Sequence, residues 1–263
     1  NGISSVELGS NHCYEKDYNY LLDYQFKFLI HNYFPIPKDS FVLNIASFQE
    51  EIRSRSIDHI IKAINFCHKI NGLLYTFHPG FLTDPKGSNI TNDNYDFQWD
   101  EKKLNSSNYS KAKELMYDSL DIIIDYAKQK KINIAIETEG SVSKKDHLLM
   151  QTPREFDEFI STYKPNEVGI NLNIGHLNLA SKAFNFDKRE FVDLIQQHIV
   201  AMELSHNDGI EDDHLPLQEI GWYWEFINDN RFNHIIKILE FRNVSIKKIK
   251  DNIELIKKMK DEI

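Results

Sequence analysis

Residues 168–176 read Val-Gly-Ile-Asn-Leu-Asn-Ile-Gly-His, an apolar run that ends on the amide of Asn173. The same pattern recurs along the chain. Short apolar runs occupy Ile3–Leu8, Phe26–His31, Leu73–His78, Ile132–Glu137, Val168–Asn173, Ile199–Leu204 and Ile235–Glu240. They are rich in Ile, Val, Phe and Leu, as strands buried on both faces must be. Amphipathic stretches lie between them. Phe48–Ile70 sets Ile57, Ile60, Ile61, Ile64 and Cys67 on one stripe, and Ser110–Lys130 does the same with Ala112, Leu115, Met116, Leu120 and Ile123. Thr152 followed by Pro153 reads as an N-cap and first helical position, and Ser245 caps a last helix over Ser245–Met259.

Strands alternating with helices predict a mostly parallel α/β sheet, and 263 residues suit one (β/α)₈ barrel domain spanning 1–263. Seven strands are counted where a closed barrel needs eight. The opening Asn1-Gly2, without Met, directly precedes a strand. A strand–helix unit upstream of Asn1 is therefore expected; Phe41–Ile45 is the alternative eighth strand.

Composition narrows the partners. Forty acidic against 31 basic residues leave a formal charge of -9, which disfavours nucleic acid. Lys247–Lys260 alternate with Ile and Leu at helical spacing, as on a solvated helix face. Cys13 and Cys67 are far apart and are expected as free, buried thiols. No apolar run approaches a membrane span and no signal peptide is seen, so the expected location is cytoplasmic, with no membrane partner.

The polar residues at the strand ends carry the chemistry. His78 stands in FHPG, Glu137 in IAIETEG, Asn173 in GINLNIGH, Glu203 in AMELSH and Glu240 in ILEFRN. In a barrel these positions face a common mouth. Three glutamates meeting there repel one another unless something neutralises them, and a divalent cation does so. An oxygen-rich set favours Mg, Mn or Co, with Zn the weaker fit. Each glutamate taken alone is more often a solvated loop residue or a salt-bridge partner; five polar residues in register after separate strands argue against that reading.

These motifs resemble the xylose-isomerase-like barrel superfamily, which includes sugar isomerases, ketose 3-epimerases and three-zinc apurinic/apyrimidinic endonucleases. The resemblance rests on FHPG (Phe77–Gly80), IET (Ile136–Thr138), NIGH (Asn173–His176), NDGIEDDHLPL (Asn207–Leu217) and LEFRN (Leu239–Asn243) in that order. The opening GISSVELGSN looks like the family's second strand. The resemblance implies one divalent metal ion on Glu137, Asn173, Glu203 and Glu240. Asn173 stands where the family has Asp and Glu203 where it has His, which leaves the ligand charge unchanged. It further implies a sugar or sugar phosphate isomerase or epimerase working through a metal-stabilised enediolate. Glu137 and Glu240 would be the acid–base pair. His78, His176, Lys38, His206, Asp212, His214 and Arg242 would bind substrate.

His78, His176, Asp212 and His214 also match the endonuclease branch. However, Lys38 stands where that branch has a zinc-binding His, and a protonated lysine cannot coordinate zinc. Trp222, Tyr223 and Trp224 read either as a sugar-stacking wall or as loop packing. HNYFPIPKDSFVLNIAS and ELSHNDGIEDDHLPL look like barrel proteins of bacterial surface-polysaccharide pathways. A degenerate, non-catalytic sugar-binding barrel is the rival reading, and pairing into a homodimer is a further expectation from the family.

Overall fold

The structure is a computed structural model that describes residues 3–10, 12–84, 90–91, 94–95, 105–140 and 148–261. Gly2 and Asn11 of the opening motif, and the Asn1 start, lie outside the described residues.

Two compact units divide the chain near the end of one strand. Apart from short segments at 145–149 and 166–168, the first runs to Ile136 and the second begins at Glu137. In the first, β1 (Ser5–Leu8), β2 (Lys27–His31), β3 (Tyr75–Phe77) and β6 (Ile134–Glu137, through Ile136) pair in parallel in that order. A separate antiparallel pair, β4 (Ile90–Thr91) and β5 (Asn94–Tyr95), lies between β3 and β6 in sequence. The helices α1 (Glu50–Lys69) and α2 (Ser106–Lys130) pack on each other. The buried face of α1 is Ser56, His59, Ile60, Ala63, Ile64 and Cys67, so the stripe is rotated and Ile57 and Ile61 are only half-buried.

In the second unit β7 (Gly169–Asn173), β8 (Ile199–Leu204) and β9 (Ile236–Leu239) pair in parallel in that order. The chain leaving β6 joins them at Thr138, whose N–H donates to the Asn171 carbonyl at 3.0 Å. The helices are α3 (Pro153–Thr162), α4 (Ile174–Phe184), α5 (Lys188–Ile195), the short α6 (Trp224–Ile227) and α7 (Ile246–Asp261). Phe156 of α3 and Phe191 of α5 meet edge-to-face at 5.2 Å.

All seven expected strands form, each trimmed by two residues or fewer at either end. Every residue of β6 and β7 is buried, as the apolar runs require. Phe41–Ile45 forms no strand. The predicted caps also form: Pro153 opens α3 behind Thr152, and Ser245 Oγ accepts from Lys248 N at 3.2 Å. Both cysteines are free, but Cys13 is exposed where burial was expected; only Cys67 lies in the core. Among the described residues no helix is long and apolar enough to cross a membrane.

Candidate functional site in the second unit

The parallel register sets the site. Asn173 and Glu203 are direct partners on β7 and β8, while Glu203 pairs with Ile238 on β9, two residues before Glu240. Glu137 is the last residue of β6. Four strand ends thus deliver four polar side chains to one place. Glu137 and Glu203 are each 1% exposed, and the Glu240 side chain is 33% exposed.

Asn173 organises them. It is the N-cap of α4, and its Oδ1 accepts the backbone N–H of His176 at 3.1 Å. That bond turns Nδ2 toward the carboxylates: Glu137 Oε1 at 2.9 Å, Glu203 Oε2 at 2.9 Å and Glu240 Oε2 at 3.0 Å. Oxygen and nitrogen of an amide are told apart by their partners. Here a backbone N–H can only donate, so Oδ1 must face His176 and Nδ2 the carboxylates. The Asn173 backbone N–H is itself held by Thr138 Oγ1 at 2.9 Å. Close approach of α4 to the end of β6 requires Gly140. A Cβ there would lie 2.4 Å from both Cα and the carbonyl oxygen of His176.

Further donors complete the cluster. Asn171, two residues before Asn173 and so on the same strand face, gives Nδ2 to Glu203 Oε1 at 2.7 Å. His176 Nδ1 donates to the Thr138 carbonyl at 2.8 Å and lies 3.2 Å from Glu137 Oε1. His214 sits between two acids, with Nε2 2.7 Å from Asp212 Oδ2 and Nδ1 3.1 Å from Glu240 Oε2. Its backbone is left-handed at φ 48°, a conformation that costs a non-glycine residue on the order of 1–3 kcal/mol and concentrates at functional sites.

The charges balance locally. Burial pulls the His214 imidazolium down, but Asp212 and Glu240 outweigh it and push its pKa up to about 9. At His176 burial is likewise opposed by Asp212 and Glu137, and the pKa lies well above the usual imidazole value. Its Nε2 is 3.7 Å from Asp212 Oδ2, an ion-pair separation longer than a hydrogen bond. Burial would raise the Asp212 carboxyl, but the two imidazoles hold it well below the carboxylate range. Arg242 adds a third cation, with one guanidinium nitrogen 3.5 Å from Asp212 Oδ2 and another donating to the Asp212 carbonyl at 3.2 Å.

Within the second unit two donor sets can be tested for a metal ion. The set of Glu137, Asn173, Glu203 and Glu240 has the charge but not the geometry. At 173 it presents two N–H hydrogens, which repel a cation, and the amide oxygen is committed to the helix cap. The carbonyl ligand expected at 173 is therefore not offered to the glutamates. His176, Asp212 and His214 fit an ion that displaces the imidazole protons: two imidazoles and a carboxylate whose ligand atoms all lie within 4.8 Å of one another.

Of the remaining expected site residues, His206 bridges to Leu215 through both backbone N–H groups and lays its ring edge-on to Tyr223 at 5.9 Å. Tyr223 and Trp224 are loop packing. Tyr223 Oη accepts from Gln218 N and Trp224 Nε1 donates to the Gln218 carbonyl. Lys38 and His78 belong to the first unit, where Lys38 is exposed and His78 stacks edge-on against His31 at 5.4 Å. Asn171 and Thr138 were missed by sequence reading. The period-two spacing of Asn171 and Asn173 in GINLN was the available signal.

The chain matches the family described as Xylose isomerase-like TIM barrel over residues 17–259 and belongs to it. It is similar to an uncharacterized protein, MJ1311, of Methanocaldococcus jannaschii, with 24% identity over 219 residues. That match covers 80% of this chain and 63% of MJ1311, so the chain spans just under two thirds of that relative. Two solved structures show the same fold. A D-tagatose 3-epimerase-like protein superposes with a TM-score of 0.75 at 20% identity, covering 100% of this chain and 90% of that one. A D-psicose 3-epimerase studied in the presence of D-fructose gives 0.60 at 13% identity, with 99% and 86% covered.

Proposed function

We propose that the chain is a sugar or sugar phosphate isomerase or epimerase that moves a proton at a carbon next to a carbonyl. The observation that carries this reading is the convergence of Glu137, Glu203 and Glu240, from three strand ends, to within 3.0 Å of one amide nitrogen. A folding core has no need of three such acids, because burying each is costly. Family membership and fold neighbours named as sugar epimerases support the substrate class.

In this reading Glu240, reachable at the part-exposed edge of the cluster, and Glu137, buried behind it, take and return the proton. The exposed Arg242 suits an anionic group such as a phosphate. Preorganised N–H groups of this kind stabilise an oxyanion as it develops, because they need no reorganisation. The divalent ion expected from the family finds fitting donors in His176, Asp212 and His214, where it would supply Lewis-acid charge. Imidazole ligands shift the preference from Mg toward Mn, Co or Zn.

The test is solvent-deuterium incorporation, followed by NMR, on the purified protein. The panel is ketopentoses, ketohexoses, their phosphates and nucleotide-linked sugars of the kind that build surface polysaccharides. Exchange next to the carbonyl is expected, falling roughly 10²–10⁴-fold in Glu137→Gln and Glu240→Gln. A second reading, a non-catalytic sugar-binding barrel, is favoured by Asn173. Saturable sugar binding with no exchange, with or without added Mn²⁺, Co²⁺ or Zn²⁺, would establish it and end the isomerase reading.

A further inference from the structure

Each of the three glutamates already has hydrogen-bond or ion-pair partners within the cluster. Glu137 faces Asn173 Nδ2 and His176 Nδ1, Glu203 faces Asn173 Nδ2 and Asn171 Nδ2, and Glu240 faces Asn173 Nδ2 and His214 Nδ1. The point where their oxygens converge is held by the Asn173 amide nitrogen. Turning the amide over would not open the site. It would set Nδ2 hydrogens against the His176 backbone N–H, remove three contacts to carboxylates and leave Oδ1 facing acids. Each of those changes is unfavourable, since a buried donor without an acceptor costs about 1–3 kcal/mol and buried charges without partners cost more.

We propose that the Asn173 side chain stands in for a cation, so that Glu137, Glu203 and Glu240 take up no divalent ion. The side chain is a neutral dipole locked by the cap of α4 with its positive end toward the acids. A single change, Asn173→Asp, converts the cluster into a metal site. Aspartate keeps an oxygen for the His176 N–H while its second oxygen, now a ligand, joins three other acids. Four carboxylates so close repel one another, and a divalent ion relieves that repulsion. This inference does not rest on the sugar reading, because a chain that turns over no sugar still binds or refuses ions.

The experiment is titration calorimetry with Mn²⁺, Co²⁺ and Zn²⁺, backed by metal analysis after dialysis. It compares the wild type, Glu203→Gln, Asn173→Asp and the double variant. Glu203 is the discriminating position, since it belongs to the glutamate cluster and not to the His176–Asp212–His214 group. Any ion the wild type takes is expected to bind Glu203→Gln with a Kd within twofold. Asn173→Asp is expected to bind one further equivalent of Mn²⁺, and the double variant to lose it. Should Asn173→Asp fold only with ion present, a Tm that rises with Mn²⁺ beside a flat wild-type Tm is the same positive result. A tenfold or greater loss of wild-type ion binding on Glu203→Gln overturns the proposal. So does an Asn173→Asp protein that folds and gains no ion. If Asn173→Asp never folds, the Glu203→Gln comparison decides alone.

Discussion

Histidine is buried in two very different settings. In the first unit His59, 4% exposed on α1, lies against the rings of Phe41 at 5.8 Å and Tyr33 at 6.1 Å. Arg55 sits over Phe41, and Lys62 is on the same helix. Burial brings the His59 pKa down to about 4, helped by the positive charges of Lys62 and Arg55 against backbone hydrogen bonds at Tyr33 and Asn32. In the second unit the His214 side chain is as buried, at 3%, yet its pKa rises to about 9 beside Asp212 and Glu240. Equal burial gives opposite charge states, and the partners decide which. Aromatic walls make His59 a neutral packing residue, whereas carboxylates make His214 a cation that holds a site together.

The largest effect expected from this contrast is on acid stability. His59 binds its proton more readily in the unfolded chain, near pH 6.5, than in the folded one, near pH 4. Stability is therefore complete above pH 6.5 and falls as pH drops toward 4, by about 3 kcal/mol from this residue. Denaturant unfolding of the wild type and His59→Gln from pH 7 to pH 4 should show a shallower loss in the variant. Parallel curves would break the contrast.

Next in size is a pair of glycines. Gly140→Ala forces a Cβ to 2.4 Å from the His176 backbone and should cost about 1–3 kcal/mol while loosening the Asn173 cap. Gly9→Ala, after β1 in the first unit, meets nothing nearer than His31 Cδ2 at 3.6 Å and should stay within about 0.5 kcal/mol. Equal costs for the two would show that the second unit's strand ends are no more tightly built than the first unit's.

The smallest effect belongs to Arg242→Ala. The guanidinium is half exposed, and its link to Asp212 should contribute under about 1 kcal/mol to stability. Its value should appear instead as a raised KM for phosphorylated substrates with kcat unchanged.

Much of the strand pattern could be read directly because central strands such as β6 and β7 are buried on both faces, leaving continuous apolar runs such as Ile134–Ile136. The polar residues ending those runs, Glu137, Asn173 and Glu240, were visible for the same reason: they interrupt a hydrophobic sequence. The α1 stripe was less legible. Its packed face includes Ser56 and His59, whose side chains find local partners, with Ser56 Oγ accepting from Asn44 N at 2.9 Å. Glu155 went unread although Thr152-Pro153-Arg154-Glu155 has capping-box spacing. Its carboxylate gathers the N–H groups of Met150, Gln151 and Thr152, all within 2.9 Å.

From its residues alone, then, this chain specifies alternating strands and helices, a place for four polar side chains and the acids that occupy it, because apolar periodicity is local. Tertiary structure alone decided which end of the Asn173 amide faces those acids. That depends on one hydrogen bond to the first turn of α4 and on the convergence of three other strand ends. An asparagine read as an oxygen ligand becomes, in three dimensions, a nitrogen donor, and the charge it must answer comes from residues up to 67 positions away.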